Sequence, residues 1–138
     1  MRVVIDTNTF VESLSRTSPH HAIFQHLLQG SFFICVSTSI LLEYEEILFQ
    51  LHRKENVERL LNFLSISSFT LFIDPTYRFN LIIADPDDNK FVDCAIASSS
   101  DYIVTSDHHF DILKQIDFPK VEVVTPQQFI ALLHLSLN

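Results

Sequence analysis

The sequence has almost no glycine, and this scarcity excludes several classes of enzyme. Gly30 is the single glycine among 138 residues. Loops that cradle nucleotide phosphates need several glycines at fixed spacing, so we exclude kinases, GTPases and dinucleotide-dependent dehydrogenases. The nucleophile elbow of serine hydrolases also needs flanking glycines. Covalent acyl chemistry is therefore not expected.

Cysteine and long apolar segments are scarce as well. Cys35 lies in an apolar, strand-like run and Cys94 lies in a helical pattern, so we expect two buried free thiols rather than a disulfide. Asp6 interrupts the apolar start of the chain, and the apolar stretch near the C-terminus is too short to span a bilayer. These features predict a soluble, cytoplasmic protein that does not associate with membranes.

Basic residues are outnumbered by acidic ones. The chain has 9 Lys and Arg against 17 Asp and Glu, which gives a formal net charge of -8. Domains that coat nucleic acid through broad electrostatics are usually basic, so any contact with RNA is expected to be local. With 47% apolar residues, residues 1–138 are long enough for one compact domain and too short for two typical ones.

The alternation of apolar runs with helical patterns predicts an α/β fold. Runs typical of buried strands occur at residues 2–5, 31–36, 69–73, 102–105 and 121–124. Helical patterns follow Asp6, Pro19, the Ser37-Thr38-Ser39 run, the polar break at residues 53–56, the turn before Asp88, residue 109 and Pro126. Such alternation implies right-handed crossovers. We therefore predict a three-layer α/β/α sandwich with a mainly parallel central sheet.

Four acidic residues follow predicted strands or begin predicted helices: Asp6, Glu43, Asp88 and Asp107. In a parallel α/β sheet these positions belong to one edge, beyond the carboxyl ends of the strands, where functional clefts form. Carboxylates gathered at one edge repel each other unless a cation lies among them. The pattern therefore predicts a metal-dependent hydrolase, with Mg²⁺ or Mn²⁺ selected by the hard oxygen ligands.

Helix periodicity supports the choice of Asp88 more strongly than the choice of Glu43. Phe91, Val92, Ala95 and Ile96 follow Asp88 at helical offsets, so its carboxylate lies on the buried stripe, where an unpaired charge is costly. Asp87 and Asp93 point elsewhere on the same wheel. Glu43 and Glu45 flank the apolar stripe of their helix almost equally, and only the position of Glu43 near the helix start favours it.

Asp6 and Asp107 each have a simpler alternative role. An Asp between a strand and a helix is commonly a helix N-cap, and Asp88 could serve as one too. Thr7 and Asn8 offer further oxygen atoms beside Asp6, and Asp111 lies one turn after Asp107. The common position of all four acids at one edge favours metal binding over capping alone.

The histidine pairs His20-His21 and His108-His109 do not predict a zinc site. Adjacent histidines point in different directions, and the His-x3-His spacing and thiolate clusters typical of zinc sites are missing. Surface or capping roles are expected, although His108 is a candidate for substrate contact because it follows Asp107.

Four segments resemble the PIN domain family, and together they span nearly the whole chain. They are Val4-Ile5-Asp6-Thr7-Asn8, Leu42-Glu43-Tyr44, Asp85-Pro86-Asp87-Asp88-Asn89-Lys90-Phe91 through Ala95, and Asp101-Tyr102-Ile103-Val104-Thr105-Ser106-Asp107. The metal-binding acids of that family map onto Asp6, Glu43, Asp88 and Asp107. Asp85, Asp87 and Asp93 crowd the third position, and Ser106 stands where relatives often have glycine.

The resemblance implies a metal-dependent endoribonuclease, since the family includes ribonuclease toxins of toxin-antitoxin pairs. Asp6, Glu43, Asp88 and Asp107 would then be both metal ligands and catalytic residues, with Asn8, Thr105 and Ser106 in support. The implied partners are single-stranded or structured RNA, a cognate antitoxin protein and a second copy of the chain. Hydrolysis would leave a 5′ phosphate and a 3′ hydroxyl.

Three alternatives use the same sequence features. A phosphoacceptor signalling module needs an acidic pair after the first strand, and Asp6 has no acidic neighbour. A haloacid-dehalogenase-type phosphatase needs Asp-x-Asp there, and Asn8 occupies the place of the second acid. The third alternative, a catalytically inactive PIN-like protein that binds RNA or a partner, is consistent with the same residues.

Overall fold

The structure is a computed structural model that describes residues 1–136. The last two residues of the predicted domain, 137 and 138, lie outside the described residues. The strands are β1 (Arg2–Ile5), β2 (Phe33–Val36), β3 (Thr70–Phe72), β4 (Tyr102–Val104) and β5 (Val123–Val124). The α-helices are α1 (Thr7–Ser13), α2 (His21–Leu28), α3 (Thr38–Leu51), α4 (Lys54–Ile66), α5 (Asn89–Ala97) and α6 (Pro126–Ser136), and 3₁₀ helices span Pro86–Asp88 and His108–Gln115.

A five-stranded sheet with helices around it confirms the predicted α/β architecture. The strand order is β3-β2-β1-β4-β5, and every neighbouring pair is parallel. β1 is the central strand, with Val3 paired to Ile34 on one side and to Tyr102 on the other. Val3, Val4 and Ile5 are fully buried, as expected for a parallel strand covered on both faces. The carboxyl ends of β1, β2 and β4 consequently meet at one edge.

Polar residues at the ends of the strands start the helices that follow. The side chains of Asp6, Ser37 and Asp107 accept backbone N–H groups of α1, α3 and the second 3₁₀ helix. These caps satisfy amide groups that the first helical turn leaves without partners. The capping role considered for Asp6 and Asp107 is therefore real, and it also fixes their side chains at the edge of the sheet.

Tyr44 ties α3 to β1 directly before the first acidic residue. Its side chain is fully buried and its ring stacks on Phe10 with the centroids 4.3 Å apart. The phenolic hydroxyl donates to the backbone carbonyl of Ile5, and burial raises the pKa of the phenol well above its ordinary value. α3 is therefore held at a fixed position relative to the end of β1.

Residues 73–85 have no regular secondary structure, yet polar side chains hold them in place. The side-chain amide of Asn89 accepts the N–H of Ile82 and donates to its carbonyl, at 2.9 and 2.8 Å. Asp93 accepts the N–H of Phe79 at 3.1 Å. Because Asn89 and Asp93 belong to α5, the segment is fastened to the helix that follows Asp88.

The structure shifts several predicted boundaries. The helix predicted to begin at Asp88 is preceded by a 3₁₀ turn over Pro86–Asp88, and Pro86 fits this first turn because an N–H there would have no helical partner. The helical pattern predicted to follow residue 109 is a 3₁₀ helix, His108–Gln115. Strand β5 contains two of the four predicted residues.

The two cysteines and the lengths of the helices bear on two further predictions. Cys35 and Cys94 are both free and buried, which confirms the expectation of two unpaired thiols. Between residues 1 and 136, no helix combines the length and the apolar character needed to cross a bilayer.

Helices α2 and α5 end in the same backbone motif with different residues. After α2, the N–H of Gly30 donates to Leu27 and that of Ser31 to His26. After α5, Ser99 donates to Ile96 and Ser100 to Ala95. This pair of bonds is the Schellman motif, which needs a left-handed residue at its first position. Gly30 has φ +71 and Ser99 has φ 53, so only the first motif has the residue that adopts this conformation without strain.

Replacing Gly30 by a residue with a Cβ, and replacing Ser99 by glycine, should change stability in opposite directions. A Cβ at residue 30 would lie 2.5 Å from Cε2 of Phe69, so Gly30→Ala should lower the free energy of unfolding by about 1 to 3 kcal/mol. Ser99→Gly relieves a left-handed serine and should raise it by about 1 kcal/mol or less. Urea denaturation of both variants measures the difference. Equal effects of the same sign would contradict this explanation of the two helix ends.

Candidate metal centre

Asp6 directly follows β1, and its backbone N–H donates to the carbonyl of Val104 at the end of β4, at 3.2 Å. Its carboxylate accepts the N–H of Thr9 at 2.8 Å and the hydroxyl of Thr105. The same Thr105 oxygen accepts the N–H of Asp107 at 3.0 Å. Burial raises the pKa of Asp6, the bonds from Thr105 and Thr9 oppose this effect, and the charge of Asp107 adds to it. Thr105 thus joins the first and the last of the predicted acids.

Asp107 and Asp88 share a histidine. Nδ1 of His109 lies 3.2 Å from Oδ2 of Asp88 and 3.5 Å from Oδ1 of Asp107. Asp107 also accepts the backbone N–H of His109 at 2.8 Å. Burial raises the pKa of Asp88, the hydrogen bond from His109 opposes this, and the charges of Asp107 and Asp85 raise it further. The imidazole of His109 therefore lies between two carboxylates. One belongs to Asp88 at the end of the first 3₁₀ helix, and the other belongs to Asp107 after β4.

The acidic residues that crowd the third position have different surroundings. Asp85, Asp88 and His109 each offer one ligand atom, and these three atoms lie within 4.8 Å of one another. Asp87 faces outward, with 89% of its side chain exposed. Asp93 is buried against residues 73–85, where burial raises its pKa and the N–H of Phe79 opposes the shift. Asp85 is therefore the residue that shares the position with Asp88.

Glu43 approaches the same edge from α3. One of its oxygen atoms accepts the hydroxyl of Thr7 at 2.5 Å, and the other forms an ion pair with Lys90. Glu45, which the helix wheel could not separate from Glu43, is exposed. Thr7, the neighbour of Asp6, and Lys90, the second residue after Asp88, thus both contact Glu43. Thr105 and His109 join Asp6, Asp107 and Asp88 to one another, and Glu43 lies beside this group with partners of its own.

A cleft of about 260 Å³ opens between two of the acids. Its lining consists of Asp6, Asn8, Thr9, Glu12, Ser106 and Asp107. Asn8 and Ser106 therefore lie beside the predicted ligands, as expected for supporting residues. Glu12 was not anticipated, although its position four residues after Asn8 puts both on one face of α1. It accepts a hydrogen bond from Nδ1 of His20 at 2.9 Å.

The histidine beside the acids is His109, although His108 had been considered for substrate contact. His108 is 94% exposed and pairs with Asp111 at 3.2 Å, and Asp111 also lies 3.7 Å from the ammonium group of Lys114. The 3₁₀ geometry after Asp107 turns the next residue outward and the following one back toward Asp88. No periodicity in the sequence signals this arrangement.

The donor atoms at this edge fit a divalent cation. Carboxylate oxygens outnumber the single imidazole nitrogen, which suits Mg²⁺ or Mn²⁺ better than a metal that prefers sulfur. Asp6 is buried, and the hydroxyl and the amide that donate to it are both neutral. A bound cation would compensate the desolvation that these neutral donors leave in place.

Comparison with solved structures identifies the same fold in other proteins. One match is the crystal structure of VapBC2 from Rickettsia felis bound to a DNA fragment from their promoter, with a TM-score of 0.62 and 20% identity over 91% of this chain and 98% of that one. Another is FitAcB from Neisseria gonorrhoeae, with a TM-score of 0.57 and 18% identity over 91% and 98% of the two chains. Both are similar in fold.

Comparison with families gives the assignment. Curated protein sequences provide no significant match. The family model described as PIN domain matches residues 2–109, a range that includes all four predicted acids together with His109 and Lys90. This chain therefore belongs to the PIN domain family.

Proposed function

We propose that this protein is a Mg²⁺- or Mn²⁺-dependent endoribonuclease, folded as one PIN-like domain over residues 1–138, and the toxin of a toxin-antitoxin pair. The proposal rests mainly on the contacts that join Asp6, Asp107 and Asp88 at the carboxyl edge of the sheet, with Glu43 beside them through its contacts with Thr7 and Lys90. Side chains from four separate segments meet there, and a structural role for such an acidic edge is hard to justify energetically.

Asp6 and Asp107 would be the principal ligands, and Glu43 and Asp88 would complete the set. When bound, the ion supplies a Lewis acid that makes a water molecule nucleophilic near neutral pH and neutralises phosphate charge. Thr105 fixes the carboxylate of Asp6 by its hydroxyl. His109 holds Asp88 against Asp107. The side chains thus keep a negative pocket ready for a cation.

The scarcity of basic groups implies a small contact with RNA. Lys54 pairs with Glu58 at 3.7 Å on the exposed face of α4, and Arg16 and Arg59 line a groove between α2 and α4 of about 970 Å³. These groups lie on other elements than the acidic edge. A second copy of the chain would pair two such weakly basic surfaces, and a homodimer is therefore part of the proposal.

The proposed antitoxin partner follows from the family and from one similar structure. VapBC2 from Rickettsia felis, which shares the fold, was crystallised bound to a fragment of promoter DNA. A partner with a basic or apolar segment would suit a chain with a net charge of -8. Co-purification of this chain with the product of the adjacent reading frame would test the partner directly.

Removing one predicted ligand should abolish RNA cleavage. We expect Asp6→Asn and Asp107→Asn to lower the rate on single-stranded RNA by about 100-fold or more, because each carboxylate would hold the divalent ion beside the reacting phosphate. The measurement is cleavage of a labelled RNA with Mn²⁺ or Mg²⁺, and EDTA should stop it. Asp117→Asn provides a matched control, since Asp117 is exposed and lies outside this edge.

The same assay separates the enzyme from the inactive alternative. RNA that is bound but left intact by the wild-type protein with either ion would favour the PIN-like binding protein. Cleavage that persists undiminished in Asp6→Asn and Asp107→Asn would instead reject the assigned residues.

Metal binding should also be measurable without RNA. A saturating divalent ion should stabilise the wild-type protein by about 2.7 kcal/mol at 100 times its dissociation constant, and Asp107→Asn should reduce this gain. In EDTA, Asp6→Asn should unfold at the temperature of the wild type or above it. The reason is that asparagine caps helices about as well as aspartate and adds no buried charge. Thermal unfolding followed by circular dichroism measures both effects. A lower unfolding temperature for Asp6→Asn in EDTA would contradict the cost assigned to its buried charge.

A further inference from the structure

Lys90 is the cation of the acidic edge, and its position is unusual for a lysine. Only 17% of its side chain is exposed, whereas lysines are almost always exposed unless they are paired. Its ammonium group forms an ion pair with Oε2 of Glu43 and lies 5.5 Å from the centroid of the Phe91 ring. One of the few positive charges of the chain is therefore paired with one of the proposed metal ligands.

This pairing leaves Glu43 with both oxygen atoms engaged. Oε1 accepts the hydroxyl of Thr7 and Oε2 holds Lys90. Asp6, by contrast, accepts bonds from neutral donors. A divalent ion that takes Glu43 as a ligand must therefore replace the ammonium group or remain beside it, and two cations at one carboxylate repel each other.

A second carboxylate is in position to receive the displaced ammonium group. Oδ1 of Asp87 lies 4.0 Å from Nζ of Lys90, and its side chain is 89% exposed. Lys90 and Asp87 also line one cleft of about 730 Å³, together with polar residues of the first turn of α3. The lysine side chain is long and flexible, so its ammonium group can turn toward Asp87 without movement of the backbone.

We propose that Lys90 is a displaceable counter-ion of the metal site, which a divalent ion transfers from Glu43 to Asp87 when it binds. Lys90 then sets the concentration of metal at which the site fills, and Asp87 lowers the cost of the transfer. This inference rests on the proposed function, because it takes Glu43 as a metal ligand. It also gives Asp87 a role distinct from that of its neighbour Asp88.

Isothermal titration of the purified protein with Mn²⁺, without RNA, tests this proposal. We expect Lys90→Met to bind Mn²⁺ about tenfold more tightly than the wild type, because the competing cation is gone while much of the aliphatic volume remains. Lys90→Arg should bind no more tightly than the wild type, because the charge is kept. Lys54→Met removes the same charge from the exposed face of α4 and should leave the affinity unchanged.

Asp87→Asn distinguishes a receiving group from a direct ligand. In the wild-type background this change should weaken Mn²⁺ binding several-fold, because the ammonium group loses its alternative partner. In the Lys90→Met background it should have no effect. An equal loss of affinity in both backgrounds would identify Asp87 as a ligand and overturn its assigned role.

The remaining outcomes separate this inference from the proposed function. Wild-type protein that binds no Mn²⁺ at all would defeat the metal-dependent function itself. Wild-type protein and Lys90→Met with the same affinity would defeat only the counter-ion role, as would tighter binding by both Lys90→Met and Lys90→Arg. Circular dichroism spectra establish that each variant is folded before it is titrated.

Discussion

The mutual repulsion of carboxylates at the carboxyl edge of the sheet is the constraint that organises this structure. Asp6 is buried, and the charge of Asp107 adds to the cost of ionising it. Asp88 experiences the charges of Asp107 and Asp85 in the same way. A fold that brings such groups together must supply compensating donors, since an uncompensated buried charge costs several kcal/mol. Each of these carboxylates accordingly has a donor close at hand.

These donors differ in kind, and the difference divides the edge into two parts. Around Asp6 they are a threonine hydroxyl and a backbone amide, which orient a carboxylate but leave its charge in place. Glu43 has a lysine, which cancels its charge. The charges of Asp6 and Asp107 are therefore left without a lysine or arginine partner among the described residues, and a cation held between them would compensate both. Under the proposed counter-ion role, Glu43 would join a bound ion only after the ammonium group of Lys90 has moved away.

Sequence periodicity predicted the fold and the location of the acids, but it could not predict how they contact one another. Parallel strands that alternate with helices leave few topologies, so the position of Asp6 after β1 was enough to predict that it lies at the carboxyl edge of the sheet. The helix wheel could not separate Glu43 from Glu45, and tertiary contacts of α3 with α1 and α5 place only Glu43 at the edge. His109 was missed because a 3₁₀ helix directs it, and this geometry has no apolar repeat to reveal it.

Helix α5 connects the acidic edge to the irregular segment before it. Asp88 precedes the helix and Lys90 lies in its first turn, so one rigid element carries both a proposed ligand and the counter-ion of another. Asn89, between them, is hydrogen-bonded to both backbone groups of Ile82. A change in the position of this turn would therefore act on the ligand, on the counter-ion and on residues 73–85 together. Asp85 ends that segment, and one of its oxygen atoms lies close to ligand atoms of Asp88 and His109. The segment therefore contributes a residue to the proposed metal centre, although the sequence between β3 and α5 shows no regular pattern.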